Sequence, residues 1–267
     1  MFGKLVKHEL YASGRTMLPL GVILLLLAVS TNISGRIIDS RYTQGFLYLM
    51  CVLVVIAFLL GCFAIGVVAV VLLIKRFRDS MLTDQGYLTN TLPVSVHALV
   101  LSRLLAAVIY FLFVGLVIIA SMIAAGAGTE LYITVADGFK DILTDGYIQQ
   151  VWKEYGFTGM AVNAAVYAFL SMISACLMIY LAMSIGYSFA NHKGILSFVM
   201  YFVISGIASA VSSGFSGSFL DAVYSETADI YTLLARQLVT MNIMQLVLCG
   251  VYYIGTVYML KRHLNLP

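Results

Sequence analysis

Charge is what this chain has least of, and its absence is concentrated. Residues 17–35, 42–74, 104–129, 155–191, 194–220 and 237–260 contain no Asp, Glu, Lys or Arg. Proton relays, voltage sensors and counter-ions need ionisable groups at membrane depth. A transport cycle built on such groups is therefore excluded from these stretches. No G-x-x-x-x-G-K-[ST] occurs, which excludes a phosphate-cradling loop of that kind supplied by the chain itself. His8-Glu9 opens an H-E-x-x-H zinc motif, but position 12 is Ala, so the second ligand is missing. Cysteine is scarce as well: Cys51, Cys62, Cys176 and Cys249 all fall in apolar stretches, without paired spacing or a nearby His. They read as buried packing thiols.

What is present is apolar. The chain is 62% hydrophobic and 10% charged, with a mean hydropathy of +1.01. A helix needs about 20 apolar residues to cross the hydrocarbon core. The expected fold is an all-α integral membrane protein, a single transmembrane domain over 1–267 with six spans at about 17–35, 44–74, 102–127, 160–189, 194–213 and 238–260. Nothing is left over for a second globular domain. Lys4 and Lys7 before an apolar run resemble a signal peptide, but the charged region is long and patterned, so an uncleaved first span is expected.

The basic residues orient the spans. With an internal N-terminus, ten fall inside: Lys4, Lys7, Arg15, Lys75, Arg76, Arg78, Arg103, Lys193, Lys261 and Arg262. Five fall outside, at Arg36, Arg41, Lys140, Lys153 and Arg236. The Lys/Arg excess marks the cytoplasmic side, so both termini are expected there.

The segments between spans carry pattern too. Phe2, Leu5, Val6 and Leu10 share one helical face opposite Lys4, Lys7 and His8, which predicts an amphipathic interfacial helix over 1–14. Glu9 falls in the middle of its apolar stripe. It either snorkels to water from the edge or pairs with a basic residue such as Arg76 or Arg78. The run 42–74 would extend about 50 Å as a helix at about 1.5 Å per residue, so it must tilt or project beyond the bilayer. The one substantial internal loop is 75–97, where a short helix within 79–91 is expected and Pro93 ends it. Outside, Phe139, Ile142, Leu143, Tyr147, Val151 and Trp152 recur at helical spacing within an amphipathic external segment over 128–158. It reads as a packing cap or a lid. Residues 212–218, SSGFSGS, suggest a broken or re-entrant segment.

Other motifs fail on position. Gly214-Phe215-Ser216-Gly217 matches the G-x-S-G of rhomboid intramembrane proteases, but a serine nucleophile needs a base within reach. His8, His97, His192 and His263 are all expected on the opposite side. Ser184-Ile-Gly-Tyr187 faintly resembles a potassium filter, yet it continues an apolar helix. Ala57/Gly61 and Ser205/Ser209 permit close helix packing, as such pairs do in many membrane helices. Phe58, Phe63, Met200, Tyr201 and Phe202 are candidates to line a greasy translocation path, or else to face lipid and neighbouring helices.

Three pieces resemble the permease subunit of ABC-2-type (type V) ABC transporters. KLVKHELYASGRTMLPL is similar to the family's connecting helix and first span. DQGYLTNTLPVSVHALVLSRLL is similar to its cytoplasmic coupling-helix region between spans two and three, and the segment after span five to its external re-entrant helices. The long external loop is an elaboration not expected in every member. The resemblance implies a homodimer working with two separate ATP-binding subunits. ATP and Mg would bind those partners, with no cofactor, metal or catalytic site in this chain. It also implies that Asp84, Gln85, Gly86, Tyr87, Leu88, Thr91, Leu92 and Pro93 meet the ATPase.

Apolar spans rich in Met, Phe and Tyr suit an amphipathic peptide, with lipid or drug as alternatives. Bacterial cell-membrane exporters of phenol-soluble-modulin-like peptides are the members it resembles most. Two other classes stay open: a secondary transporter independent of ion or proton ligands, and an accessory membrane protein that binds a partner.

Overall fold

A computed structural model describes residues 2–38, 45–82, 95–128, 133–134, 137–138, 140, 157–189, 193–224 and 230–262. The long elements are all helices: α1 (Phe2–Ile38), α2 (Phe46–Met81), α3 (Val96–Gly126), α4 (Phe157–Gly186), α5 (Lys193–Tyr224) and α6 (Ile230–Arg262). Each contains a stretch long and apolar enough to cross a membrane: Gly14–Ile38, Phe46–Met81, Val96–Gly126, Gly159–Gly186, Lys193–Gly214 and Arg236–Lys261. The chain is a multi-pass membrane protein. Helix is what such sequences must form, because hydrocarbon offers no partner to a free N–H or C=O. At 36 residues, α2 extends about 54 Å at about 1.5 Å per residue, longer than a bilayer core is thick.

Two expected boundaries are absent. Residues 2–14 do not form a separate helix: α1 runs unbroken into the first span, through Pro19. Pro19 cannot donate to the carbonyl four residues back, that of Arg15, but one missing bond does not end a helix that apolar surroundings favour on either side. Residues 212–218 are likewise helical within α5, so the backbone is not broken there. Glycine and serine weaken a helix in water, where the backbone has another partner; in hydrocarbon it has none. Of the external segment 128–158, the turn ending at Gly128, isolated helical residues at 133–134, 137–138 and 140, and residues 157–158, which open α4, are described; its other residues lie outside the description.

Contacts divide the chain into two compact units. One comprises Met1–Leu73 and Ile109–Ile148, the other Ile74–Val108 and Gln149–Pro267. In the first, Met17, Leu24 and Ala28 of α1 pack with Phe58, Ile65 and Ala69 of α2 and Val114 of α3. Small residues permit the close approach: Gly61 faces Leu24 and Leu27, and Gly21 faces Phe113 and Val117. The end of α3 is held from α1. Asn32 Nδ2 donates to the carbonyls of Ala125 (3.1 Å) and Ala127 (2.6 Å), and Arg36 donates to Asn32 Oδ1 (3.1 Å) and to the Ala127 carbonyl (3.3 Å). A cation and an amide thus satisfy carbonyls that a helix C-terminus leaves open. Gly128, at φ 80°, closes the turn where a Cβ would lie 2.8 Å from the Arg36 guanidinium.

The second unit is built on α4, which packs against both α5 and α6. Buried side chains gather in the C-terminal half of α4, with Cys176, Leu177 and Tyr180 each 2% exposed. α5 contributes little to this core: between 193 and 214 only Ser197 is buried. Its entry is tight, however. A Cβ on Gly186 would overlap the Ser197 hydroxyl and lie 2.6 Å from the Ser197 Cα. Gly186→Ala should therefore destabilise the folded chain by about 1–3 kcal/mol, as overpacking against backbone does. Gly194→Ala, which meets nothing within 4 Å, should cost far less. Thermal unfolding in detergent compares the two; equal melting points would refute the close crossing.

Candidate functional site

The residues expected to meet an ATPase, Asp84, Gln85, Gly86, Tyr87, Leu88, Thr91, Leu92 and Pro93, lie outside the described residues. Both roots of their segment are described, and both belong to the second unit.

The entry root is the end of α2. Residues 79–81, expected to begin a separate short helix, belong to α2 instead. Phe77 is 1% exposed and stacks on Tyr180 of α4, ring centroids 4.1 Å apart and planes within 10°. Met81 and Leu82 are buried. Arg78 pairs with Asp79 at 3.0 Å and lies close to the Tyr187 hydroxyl in the turn after α4. The ion pair is half exposed and worth little by itself, about 0–1 kcal/mol. The stacked rings carry more, since a buried aromatic removes a large apolar surface from solvent.

The exit root is the start of α3. Ser95 caps it: its hydroxyl accepts from the Ala98 N–H (3.3 Å), and its carbonyl accepts from the Leu99 N–H (3.2 Å). Leu99 and Val100 are fully buried. His97 reaches across to α6. Its Nδ1 is 2.9 Å from the Tyr253 hydroxyl, and its Nε2 is 3.2 Å from Lys261 Nζ. An ammonium can only donate, so Nε2 accepts, and Nδ1 carries the proton of the neutral ring and donates to Tyr253. The Tyr180 hydroxyl donates to the Arg103 carbonyl at 3.4 Å, so one α4 residue touches both roots. Arg103 itself is 8% exposed. The charge-free stretch beginning at 104 had suggested no ionisable group in the span. α3 starts earlier, and Arg103 sits about 10 Å inside it at about 1.5 Å per residue.

Both roots are thus fixed to the second unit. The entry is clamped by aromatic stacking on α4, and the exit by hydrogen bonds to α6.

The remaining expected residues scatter. Lys7 is exposed and Glu9 half-buried; the Lys4 side chain lies outside the description. Arg78, one basic partner considered for Glu9, makes its ion pair with Asp79. Phe58 is a core residue, 5% exposed among α1 and α3 side chains, and so is spent on packing rather than on an open wall. Phe63 (72%) and Phe202 (58%) are exposed, while Met200 and Tyr201 are half-buried. Tyr201 and Phe202 meet edge to face at 5.7 Å. Phe58 and Phe63 belong to the first unit and the other three to the second.

Sequence reasoning missed three things: the His97–Tyr253–Lys261 link, the buried Arg103, and a hydrogen-bonded pair, Asn163 and Asn242, joining α4 to α6. The signal for the last was available, since an asparagine in a charge-free span is a polar group that hydrocarbon cannot satisfy. No family, characterised protein or solved structure matches the chain.

Phe77→Ala should lower stability by about 3–5 kcal/mol, the cost of emptying a buried ring site. Phe63→Ala, at an exposed site, should shift the melting point much less. Equal shifts in detergent-solubilised protein would show that the entry root is not clamped.

Proposed function

We propose that this chain is the permease subunit of an ATP-driven exporter in a bacterial cell membrane, resembling ABC-2-type permeases. It works as a homodimer with two separate ATP-binding subunits and moves amphipathic peptides. Both termini and residues 83–94 face the cytoplasm, in keeping with ten basic residues on that side against five on the other.

The observation that carries the reading is the pairing of uncharged spans with a rooted internal segment. Six stretches hold no Asp, Glu, Lys or Arg, although Arg103 is buried in the α3 span just before one of them. Power supplied from outside the spans suits such a composition. Both roots of the segment between Leu82 and Ser95 are tied to other helices, Phe77 to α4 and His97 to α6. Such a segment suits the docking of an engine, with Tyr87, Leu88 and Leu92 as apolar anchors and Asp84, Gln85, Gly86 and Thr91 beside them. The apolar, aromatic span surfaces favour an amphipathic peptide over a charged solute.

Tyr87→Ala combined with Leu88→Ala should leave insertion intact and uncouple ATP hydrolysis from transport, lowering coupled peptide export at least about tenfold, as loss of interface anchors worth about 1.4 kcal/mol or more would. Export and hydrolysis measured together in reconstituted vesicles decide this. Unchanged coupled export in the double variant would refute docking at this segment.

A further inference from the structure

α4 and α6 share a seam with a regular step. Asn242 Nδ2 donates to the Asn163 carbonyl (3.1 Å) and to Asn163 Oδ1 (3.2 Å). Seven residues further along each helix, the Cys249 thiol donates to the Leu170 carbonyl at 3.6 Å. Both pairs are 79 residues apart in sequence. A constant separation means that the helices run in the same direction and keep step over two turns. The next positions at that spacing, Leu177 and Thr256, are 2% and 0% exposed. A repeat of seven is 3.5 residues per turn, the period of a left-handed parallel helix pair.

The seam is close-packed: a Cβ on Gly255 of α6 would lie 2.9 Å from Leu181 of α4. The asparagines add a polar demand to that register. Asn163 is held by its own donation to the Gly159 carbonyl at 2.8 Å, and a displaced Asn242 would leave its amide donors in hydrocarbon without an acceptor. The pair is also not optimised for stability. Asn242 is 9% exposed, and its Oδ1 is buried with no hydrogen-bond partner. A buried polar group kept at a cost in stability is best attested as a device that fixes register.

The inner ends of the same two helices hold the roots of the 83–94 segment. α4 supplies Tyr180 beneath Phe77, and α6 supplies Tyr253 and Lys261 to His97. We propose that Asn163 and Asn242 are positioning residues. They set the axial register of α4 against α6, so that both roots are gripped at once and the two helices move as one body. The consequence for transport rests on the permease reading; the register itself does not.

The Ser174 side chain interacts with the Cys249 thiol, which offers a place for a covalent pin. Ser174→Cys, in the full chain reconstituted with its ATPase, should form a disulfide with Cys249 on mild oxidation and retain coupled export of an amphipathic helical peptide. Asn242→Leu should lower both the crosslinking yield at this pair and the coupling, by about three- to tenfold, the range that an interhelical polar contact in a membrane supplies. Oxidised Ser174→Cys in the Asn242→Leu background should recover most of the lost coupling. Asn242→Gln, which keeps the amide, serves if the leucine variant does not insert, and should give an intermediate yield.

Loss of coupling with an unchanged crosslink, or no recovery on oxidation, overturns the positioning role. If the pin alone stops turnover, α4 and α6 slide past one another and the one-body claim fails. If the unmodified protein shows no ATP-coupled export, the permease reading fails, while the crosslinking yields still decide the register.

Discussion

A bilayer offers no hydrogen bonds, and the rest of this structure follows from that constraint. Every span is helical because only a helix satisfies its own backbone in hydrocarbon. The same rule governs the side chains. Hydroxyls inside the helices fold back onto their own carbonyls three or four residues earlier, as at Thr31, Ser102, Ser121, Ser184 and Thr256. These residues are satisfied without a neighbour and so hold no two helices together. The longer amides and phenols do that work. Asn32 reaches from α1 to α3, Tyr110 from α3 to the Leu10 carbonyl of α1, Tyr180 from α4 to α3, and Asn242 from α6 to α4.

Among the described residues, the placement of such links differs between the units. In the first unit they close the end of α3 with Asn32 and Arg36. In the second they tie the end of α2 and the start of α3 to α4 and α6. Tyr180 joins α2, α3 and α4, while His97 joins α3 to α6. On α5, Phe198 and Phe202 meet edge to face on an exposed surface.

Much of this was legible in the sequence, for a reason with limits. Uncharged runs longer than about 20 residues announce spans, because charge at the bilayer centre is costly. All six were visible on that ground. A break was misread where a rule from water was applied: SSGFSGS punctuates soluble helices, yet it lies within a continuous one here. Partners were not legible at all. Periodicity tells which face of a helix is special but not which other helix meets it, so the pairing of Asn163 with Asn242 was missed. His97 was placed at the edge of a loop, because nothing local indicates that a residue 156 positions later will bind it.

The central claim is that the chain is a pathway whose power is supplied by a separate protein. Affinity purification of the full chain from its native membrane, followed by intact-mass measurement of the complex and an ATPase assay, tests it most directly. An ATP-binding subunit recovered in equal copy number, with hydrolysis stimulated by amphipathic peptide, is the expected result. A chain that purifies without an ATPase and moves peptide in vesicles under an ion gradient alone would contradict it.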